Sequence, residues 1–485
     1  MPSPVAAVTL QFLSSPTRTE VTELTMVKAQ TLSPYGWLVL VWVLVASFQY
    51  GYHISALNQI QAVLTCKSTA PVTPADLRFP TCIPMSDTAF SVVTSVFTLG
   101  GLLGSLTANR VMDRFGRKGA LQYSSCFVVL GSGFMAIAPS IHALIFGRLL
   151  NGVGSGIALC VGPIFISEIA PVKIRGSVGV LTQFAIVIGL MVTQLIGLRM
   201  ATPTQWRLVP AISSALSLIH ILISPSIIDT PVWLKDHRGL EEQHTAEQRI
   251  WHLPSDSDDI QDVESSLLSE EPASPREERH DIHANISLKQ LIASPQLRRP
   301  LTIVCAAMMS QQVSGINAVL YYSNDILSRS LPDLGPYISL GITIVNVLMT
   351  FPPMILIDRW GRRTLLLISI SSILLSLILV GVGLDTGIVT LSSVSILTFV
   401  MSFAIGLGPV PFVIIPEVSP SSAVSALSSA ALSLNWVSNF FVGLAFLPLR
   451  NALSGGNPTK EGRVFFVFAA ALFVSTSVLF RNYRG

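Results

Sequence analysis

The chain has 485 residues, half of them hydrophobic and 12% charged, with a formal net charge of +3. A water-soluble protein of this length carries roughly twice that charged fraction, so lipid must solvate much of its apolar surface. The small, dispersed charge offers nucleic acid nothing to bind, and no nucleic-acid partner is expected.

Residues 1–34 mix Glu20 and Glu23 with several Ser and Thr. They lack a basic start, a compact apolar core and a small-residue cleavage site, so they read as a cytoplasmic tail and not as a cleaved signal. Apolar runs long enough to cross roughly 30 Å of hydrocarbon then recur, six over 35–228 and six over 297–485. This pattern predicts an all-α membrane protein of twelve transmembrane helices in two pseudo-symmetric six-helix bundles. Between the bundles, 229–296 is rich in acidic and small polar residues and reads as a solvated linker with short amphipathic pieces.

Basic residues gather in alternate short loops: Arg114, Arg117 and Lys118; Lys173 and Arg175; Arg359, Arg362 and Arg363. The positive-inside bias puts these loops, the linker and both termini in the cytoplasm. Arg450, Lys460 and Arg463, in the last outside loop, are the exception. Cys66 and Cys82 share the first outside loop, where an oxidising compartment would let them pair. Cys126, Cys160 and Cys305 fall in apolar stretches and read as small buried hydrophobes.

The halves repeat each other. Asp113-Arg114-Phe115-Gly116-Arg117 recurs as Asp358-Arg359-Trp360-Gly361-Arg362, and Glu168-Ile169-Ala170-Pro171 recurs as Glu417-Val418-Ser419-Pro420. Duplicated six-helix units are the mark of a rocking secondary transporter. Intramembrane amides cluster as well: Gln183 and Gln194; Gln311, Gln312 and Asn317; Asn346; Asn435 and Asn439. Such groups are costly in lipid and face a bundle interior or a wet cavity. Each both donates and accepts, which suits a neutral polyhydroxylated solute better than an ion. Taken singly, any of them equally serves to tie helices together.

At these residues the chain resembles the sugar-porter family of the major facilitator superfamily, over about 36–481. The resemblance rests on Gly147-Arg148 with Asn151-Gly152, on Glu168 to Pro171, on Gln311-Gln312 with Gly315-Ile316-Asn317, on Asp358 to Arg363, and on Asn435-Trp436 with Asn439. It implies that Gln183, Gln311, Gln312, Asn317, Asn346 and Asn439 contact sugar, with Ile186, Val187 and Leu190 as the facing apolar wall. Phe412 stands where glucose facilitators have tryptophan, which keeps an apolar face and loses the indole donor. The resemblance also implies a cytoplasmic gate of Asp113, Arg117, Glu168, Arg175, Asp358, Arg362 and Glu417.

His53 departs from the pattern, since proton-coupled members carry aspartate there, opposite the arginine matched by Arg148, and facilitators carry asparagine. Two readings stay open: His53 carries a coupling proton, or it is a neutral hydrogen-bonding histidine in a uniporter. His220 reads as a packed histidine. Val232 and Val424 occupy positions where the family has arginine, and the chain stops before the usual closing segment. Charge pairs made in one state bias a two-state equilibrium, so an inward-open preference is expected.

The resemblance implies transport of a hexose-like monosaccharide by alternating access, with uniport favoured over proton symport. The alternatives are a porter for a polyol, inositol, quinate or a similar solute, or a non-transporting sugar sensor. No paired carboxylates, nucleophile constellation or metal cluster is evident, so neither an enzyme nor a cofactor or metal is expected. The expected partners are the solute and the bilayer, for a monomer in a vacuolar, other organellar or plasma membrane.

Overall fold

The computed structural model describes residues 31–67, 80–171, 174–252, 291, 293–320, 335–420, 423–455, 457 and 460–483. The first long helix, α1 (Pro34–Ser55), is capped by Ser33, whose Oγ accepts the Gly36 N–H at 3.0 Å. Pro34 takes the first turn, where a missing N–H costs nothing. After the single turn α2 (Gln61–Leu64), Cys66 is joined to Cys82 with a Cα–Cα distance of 5.2 Å. This loop is held to the bundle. The Ile83 N–H donates to Leu64 O, the Trp206 indole to Thr81 O, and the Arg207 guanidinium to Pro80, Ala136 and Ala138 carbonyls.

Next come α3 (Asp87–Ala136), α4 (Ile141–Ile169), α5 (Arg175–Met200) and α6 (Leu208–Ile223). Among the described residues eleven helical stretches are long and apolar enough to cross a bilayer. The longest, α3, turns back at Gly116 (φ 79°, ψ 175°) and therefore crosses twice, giving twelve spans. That backbone conformation is essentially closed to residues with a Cβ.

Residues 229–252 attach to the first six spans. Asp229 accepts the Lys118 N–H at 3.2 Å and the Thr230 N–H at 2.8 Å, which fastens the end of the sixth span to the Gly116 turn. Burial pushes the Asp229 carboxyl above the usual range, with these N–H bonds acting the other way. Two short helices follow, α7 (Pro231–Arg238) and α8 (Leu240–Ile250). Strand β1 (Thr31–Leu32) then pairs antiparallel with β2 (Trp251–His252). Ser33 Oγ donates to Arg249 O at 2.5 Å, and the Trp251 indole donates to Ile169 O at 2.8 Å.

The second half is less regular. Helix α9 (Arg298–Val313) breaks at Gly315 (φ 83°) before the chain turns helical again over 316–320. The eighth span is interrupted at Thr350, between α10 (Gly335–Met349) and α11 (Phe351–Trp360). Gly361 (φ 78°, ψ 157°) repeats the Gly116 turn and leads into α12 (Arg362–Asp385). The tenth span widens to a π turn at Phe403–Leu407 between α13 (Val389–Ser402) and α14 (Val410–Val418). The π turn falls just ahead of Pro409 and Pro411, whose missing N–H groups leave upstream carbonyls to find other partners. Helices α15 (Val424–Ser454) and α16 (Arg463–Asn482) complete the bundle.

The halves meet where α15 packs on α3 and α10 packs on α5. The two glycine turns allow a paired prediction. A Cβ on Gly116 would collide with the Asp229 carboxylate, whereas one on Gly361 would meet nothing within 4 Å. Gly361→Ala should therefore cost only the backbone strain, ~1–3 kcal/mol. Gly116→Ala should cost more and lower the melting temperature further in a detergent thermal-shift assay.

Candidate functional site

The amides of the second half form one buried cluster. Gln311 Nε2 donates to Gly408 O at 2.9 Å and to Leu407 O at 3.3 Å, carbonyls that the π turn has freed. Asn435 Nδ2 donates to Gln311 Oε1 at 2.9 Å, and Gln312 Nε2 donates to Asn435 Oδ1 at 3.0 Å. Asn317 Nδ2 donates to Gln312 Oε1 at 2.5 Å, a contact that the break at Gly315 makes reachable. Asn346 and Asn439 are also buried, on α10 and α15.

A cavity of about 490 Å³ opens between the halves; of the amides expected to contact solute, Gln183 lines it, whereas Gln311, Gln312, Asn317, Asn346 and Asn439 do not. Gln183 and Ile186 line its inner part, Pro409 and Phe412 one wall, and Ser167, Arg362 and Glu417 its mouth. The mouth lies on the face of the molecule that carries the Gly116 and Gly361 turns. Toward the opposite end, Asn58 Nδ2 donates to Leu320 O at 3.1 Å and to Ser339 Oγ at 3.2 Å, joining the end of the first span to the second half. Val187 and Leu190 are buried in an apolar core to which both halves contribute.

His53 lies in a second polar cluster, inside the first half. Its Nε2 is 2.8 Å from Ser213 Oγ and 3.3 Å from Ser132 Oγ. Ser213 donates to Gln49 Oε1 at 2.8 Å, and Gln49 Nε2 donates to Ser217 Oγ at 2.8 Å. Arg148, 0% exposed, donates to the His53 carbonyl at 2.8 Å and lies 4.7 Å above the Phe97 ring. His220 is a packed residue. It stacks on Trp42 at 4.3 Å, and its two ring nitrogens meet Ser125 Oγ (2.7 Å) and Trp42 O (2.9 Å).

The gate residues divide by half. Arg117 pairs with Glu168 at 2.7 Å and Arg362 with Glu417 at 2.7 Å, so each repeated motif closes the same ion pair within its own half. Asp113 is exposed. The side chains of Arg175 and Asp358 lie outside the described residues. The sequence did not single out Ser132, Ser213 or Ser217, nor Asn435 as the hub of the amides. The spacing of Ser213, Ser217, His220 and Ser224 on one buried stripe of the sixth span was the available signal.

The profile of the family described as "Sugar (and other) transporter" matches residues 39–483. A probable metabolite transport protein of Saccharomyces cerevisiae is 33% identical over 449 residues, covering 90% of each chain. Facilitated glucose transporter member 4 of solute carrier family 2, from Mus musculus, is 32% identical and covers 90% of this chain and 86% of its own. Among solved structures, the proton:xylose symporter XylE bound to 6-bromo-6-deoxy-D-glucose superposes with a TM-score of 0.72 at 19% identity, covering 93% of this chain and 96% of that one. A partially occluded inward-open XylE from E. coli gives 0.67, covering 92% and 98%. The fold is the major facilitator fold.

Proposed function

Since the chain belongs to the family of sugar and other transporters, we propose that it carries a hexose-like monosaccharide across its membrane by alternating access, as a uniporter. The observation that supports this reading is a cavity between the halves that Gln183 lines, one wall of which, Pro409, follows the Gly408 carbonyl bonded by Gln311. Amides present donors and acceptors together, as a ring of hydroxyls requires, and the Phe412 and Ile186 faces suit the C–H side of a pyranose. Gln183, Ile186, Gln311, Gln312, Asn317, Asn346, Phe412 and Asn439 make up the site in this reading. The cavity mouth faces the cytoplasm, with both termini and the linker. Asp113, Arg117, Glu168, Arg175, Asp358, Arg362 and Glu417 gate it, and the Cys66–Cys82 loop faces an oxidising compartment.

The setting of His53 supports uniport. A proton on its ring would place a second buried positive charge beside Arg148, which the low dielectric of the interior penalises steeply. In this reading a neutral ring organises Ser132 and Ser213. Reconstituted vesicles loaded with radiolabelled D-glucose, D-xylose, myo-inositol or quinate provide the test. Saturable D-glucose uptake that stops at equilibrium and ignores a protonophore is expected. Concentrative uptake driven by a pH gradient would overturn uniport, and a preference for inositol or quinate would overturn the hexose assignment.

A further inference from the structure

Trp436 sits where the two halves touch, against two helices of the opposite half, α1 and α3. Its side chain comes from α15, in the second half, and is 1% exposed. The indole N–H donates to Ser105 Oγ on α3 at 2.7 Å, and that hydroxyl donates onward to Gly156 O on α4 at 3.3 Å. Tyr50 from α1 and Phe97 from α3 stand edge-on to the ring at 5.7 and 6.2 Å. The ring lies flat against Gly101: a Cβ there would be 2.6 Å from its nearest carbons. Gly156 must be bare in turn, since a Cβ on it would run into the Gly101 carbonyl. Helices α1 and α3, with α4 packed closely behind α3, thus form a fitted socket for a single side chain of the other half.

Two more observations bear on what the socket does. Asn435, the preceding residue, is the hub of the amide cluster. About one turn along the same two helices, Asn109 and Leu432 line a smaller cavity of about 140 Å³, which shares Leu159, Pro163, Ser167 and Phe412 with the larger one. Beyond Trp436, then, α3 and α15 border this cavity on one side, while Ala108 and Leu432 stay buried in one apolar cluster.

We propose that Trp436 is the fulcrum on which the halves rock, a positioning residue that stays seated between Gly101 and Ser105 while the helix ends on either side part and close. A socket of aromatic edges and bare backbone resists sliding, because close-packed atoms have no room to translate, yet it permits a small rotation about the ring. Rotation displaces least what lies nearest its axis. The amide cluster, one residue away, therefore keeps its geometry while access to it changes sides. The proposal rests on alternating access and is independent of which solute is carried.

The test uses Gly101→Ala, Ser105→Ala, Trp436→Leu and the Gly101→Ala/Trp436→Leu pair in reconstituted vesicles. Maximal D-glucose flux and the D-glucose dissociation constant are measured separately. Gly101→Ala should lower flux at least tenfold with affinity kept within threefold, and Ser105→Ala should lower flux about threefold. Trp436→Leu in the Gly101→Ala background should recover at least threefold, since it removes the overlap. Normal flux in Gly101→Ala, lost affinity at unchanged maximal flux, or a further loss in the double variant would overturn the proposal. Should Gly101→Ala fail to fold, Ser105→Ala takes its place, and flux equal to that of the parent would overturn the proposal.

If the unmodified protein does not bind D-glucose, the hexose assignment fails while the fulcrum is still read by labelling. Ser167→Cys, in a background lacking Cys126, Cys160 and Cys305, reports the open mouth to a membrane-impermeant maleimide. Gly101→Ala should change that labelling rate at least threefold, and an unchanged rate overturns the fulcrum.

Discussion

Gln311→Leu is expected to reduce D-glucose transport about a hundredfold while leaving a folded protein. The side chain satisfies two carbonyls, Leu407 O and Gly408 O, that the π turn of the tenth span leaves without helical partners. It also accepts from Asn435 at 2.9 Å. Leucine fills a similar volume and bonds none of them. Each buried polar group orphaned in this way costs ~1–3 kcal/mol, and more where hydrocarbon surrounds the bundle. Part of that loss falls on the fold, as a lower melting temperature. The part that falls on the site shows as a raised dissociation constant, since the same amide is a proposed sugar contact. Gln311→Glu keeps one acceptor but loses the donor, and it should fail almost as badly. Transport within threefold of the parent in both variants would remove Gln311 from the site.

The second large effect concerns Arg148. Arg148→Ala should abolish measurable transport, and Arg148→Lys should restore less than a tenth of it. The guanidinium does two things that an ammonium cannot do together: it donates to the His53 carbonyl at 2.8 Å and keeps its central carbon 4.7 Å from the Phe97 ring centre. A desolvated cation–π contact contributes ~2 kcal/mol and a charged hydrogen bond ~1.5–3 kcal/mol. Phe97 is also one wall of the Trp436 socket, so losing the guanidinium disturbs that contact too. His53→Asn makes a useful companion. It preserves the backbone carbonyl and a neutral polar side chain, so uptake should survive with its pH dependence unchanged. Uptake by His53→Asn that loses a pH response present in the parent would instead identify His53 as a proton carrier.

What was legible in the sequence was what repeats locally. The twelve apolar runs, the two Asp-Arg-x-Gly-Arg copies and the two Glu-x-x-Pro copies each correspond to a described element, and both glycines adopt the same turn. The match of Arg117 with Glu168 and of Arg362 with Glu417 also follows from the repeat, because a duplicated unit folds alike twice. Partner choice at long range was not legible. Gln312 meets Asn435 across 123 residues, and Trp436 meets Ser105 across 331. Neither spacing carries a sequence signal, since which face a helix turns inward depends on every other helix in the bundle. The π turn was hidden for a related reason. Pro409 and Pro411 mark a disturbance, but the position of the extra residue depends on where Gln311 and Ser369 can reach the freed backbone.

The strand pair between Thr31–Leu32 and Trp251–His252 has a consequence for how the chain is made. A ribosome delivers β1 first and must extrude more than two hundred further residues before its partner exists. Until then Ser33 has no Arg249 carbonyl to donate to, and the Ile169 carbonyl lacks the Trp251 indole. Once residue 252 emerges, the first six spans and the two short helices after them can complete their mutual bonds at once, before the seventh span has been synthesised. Biosynthesis would therefore pass through a half-length intermediate that is already closed on itself, onto which the later half is assembled.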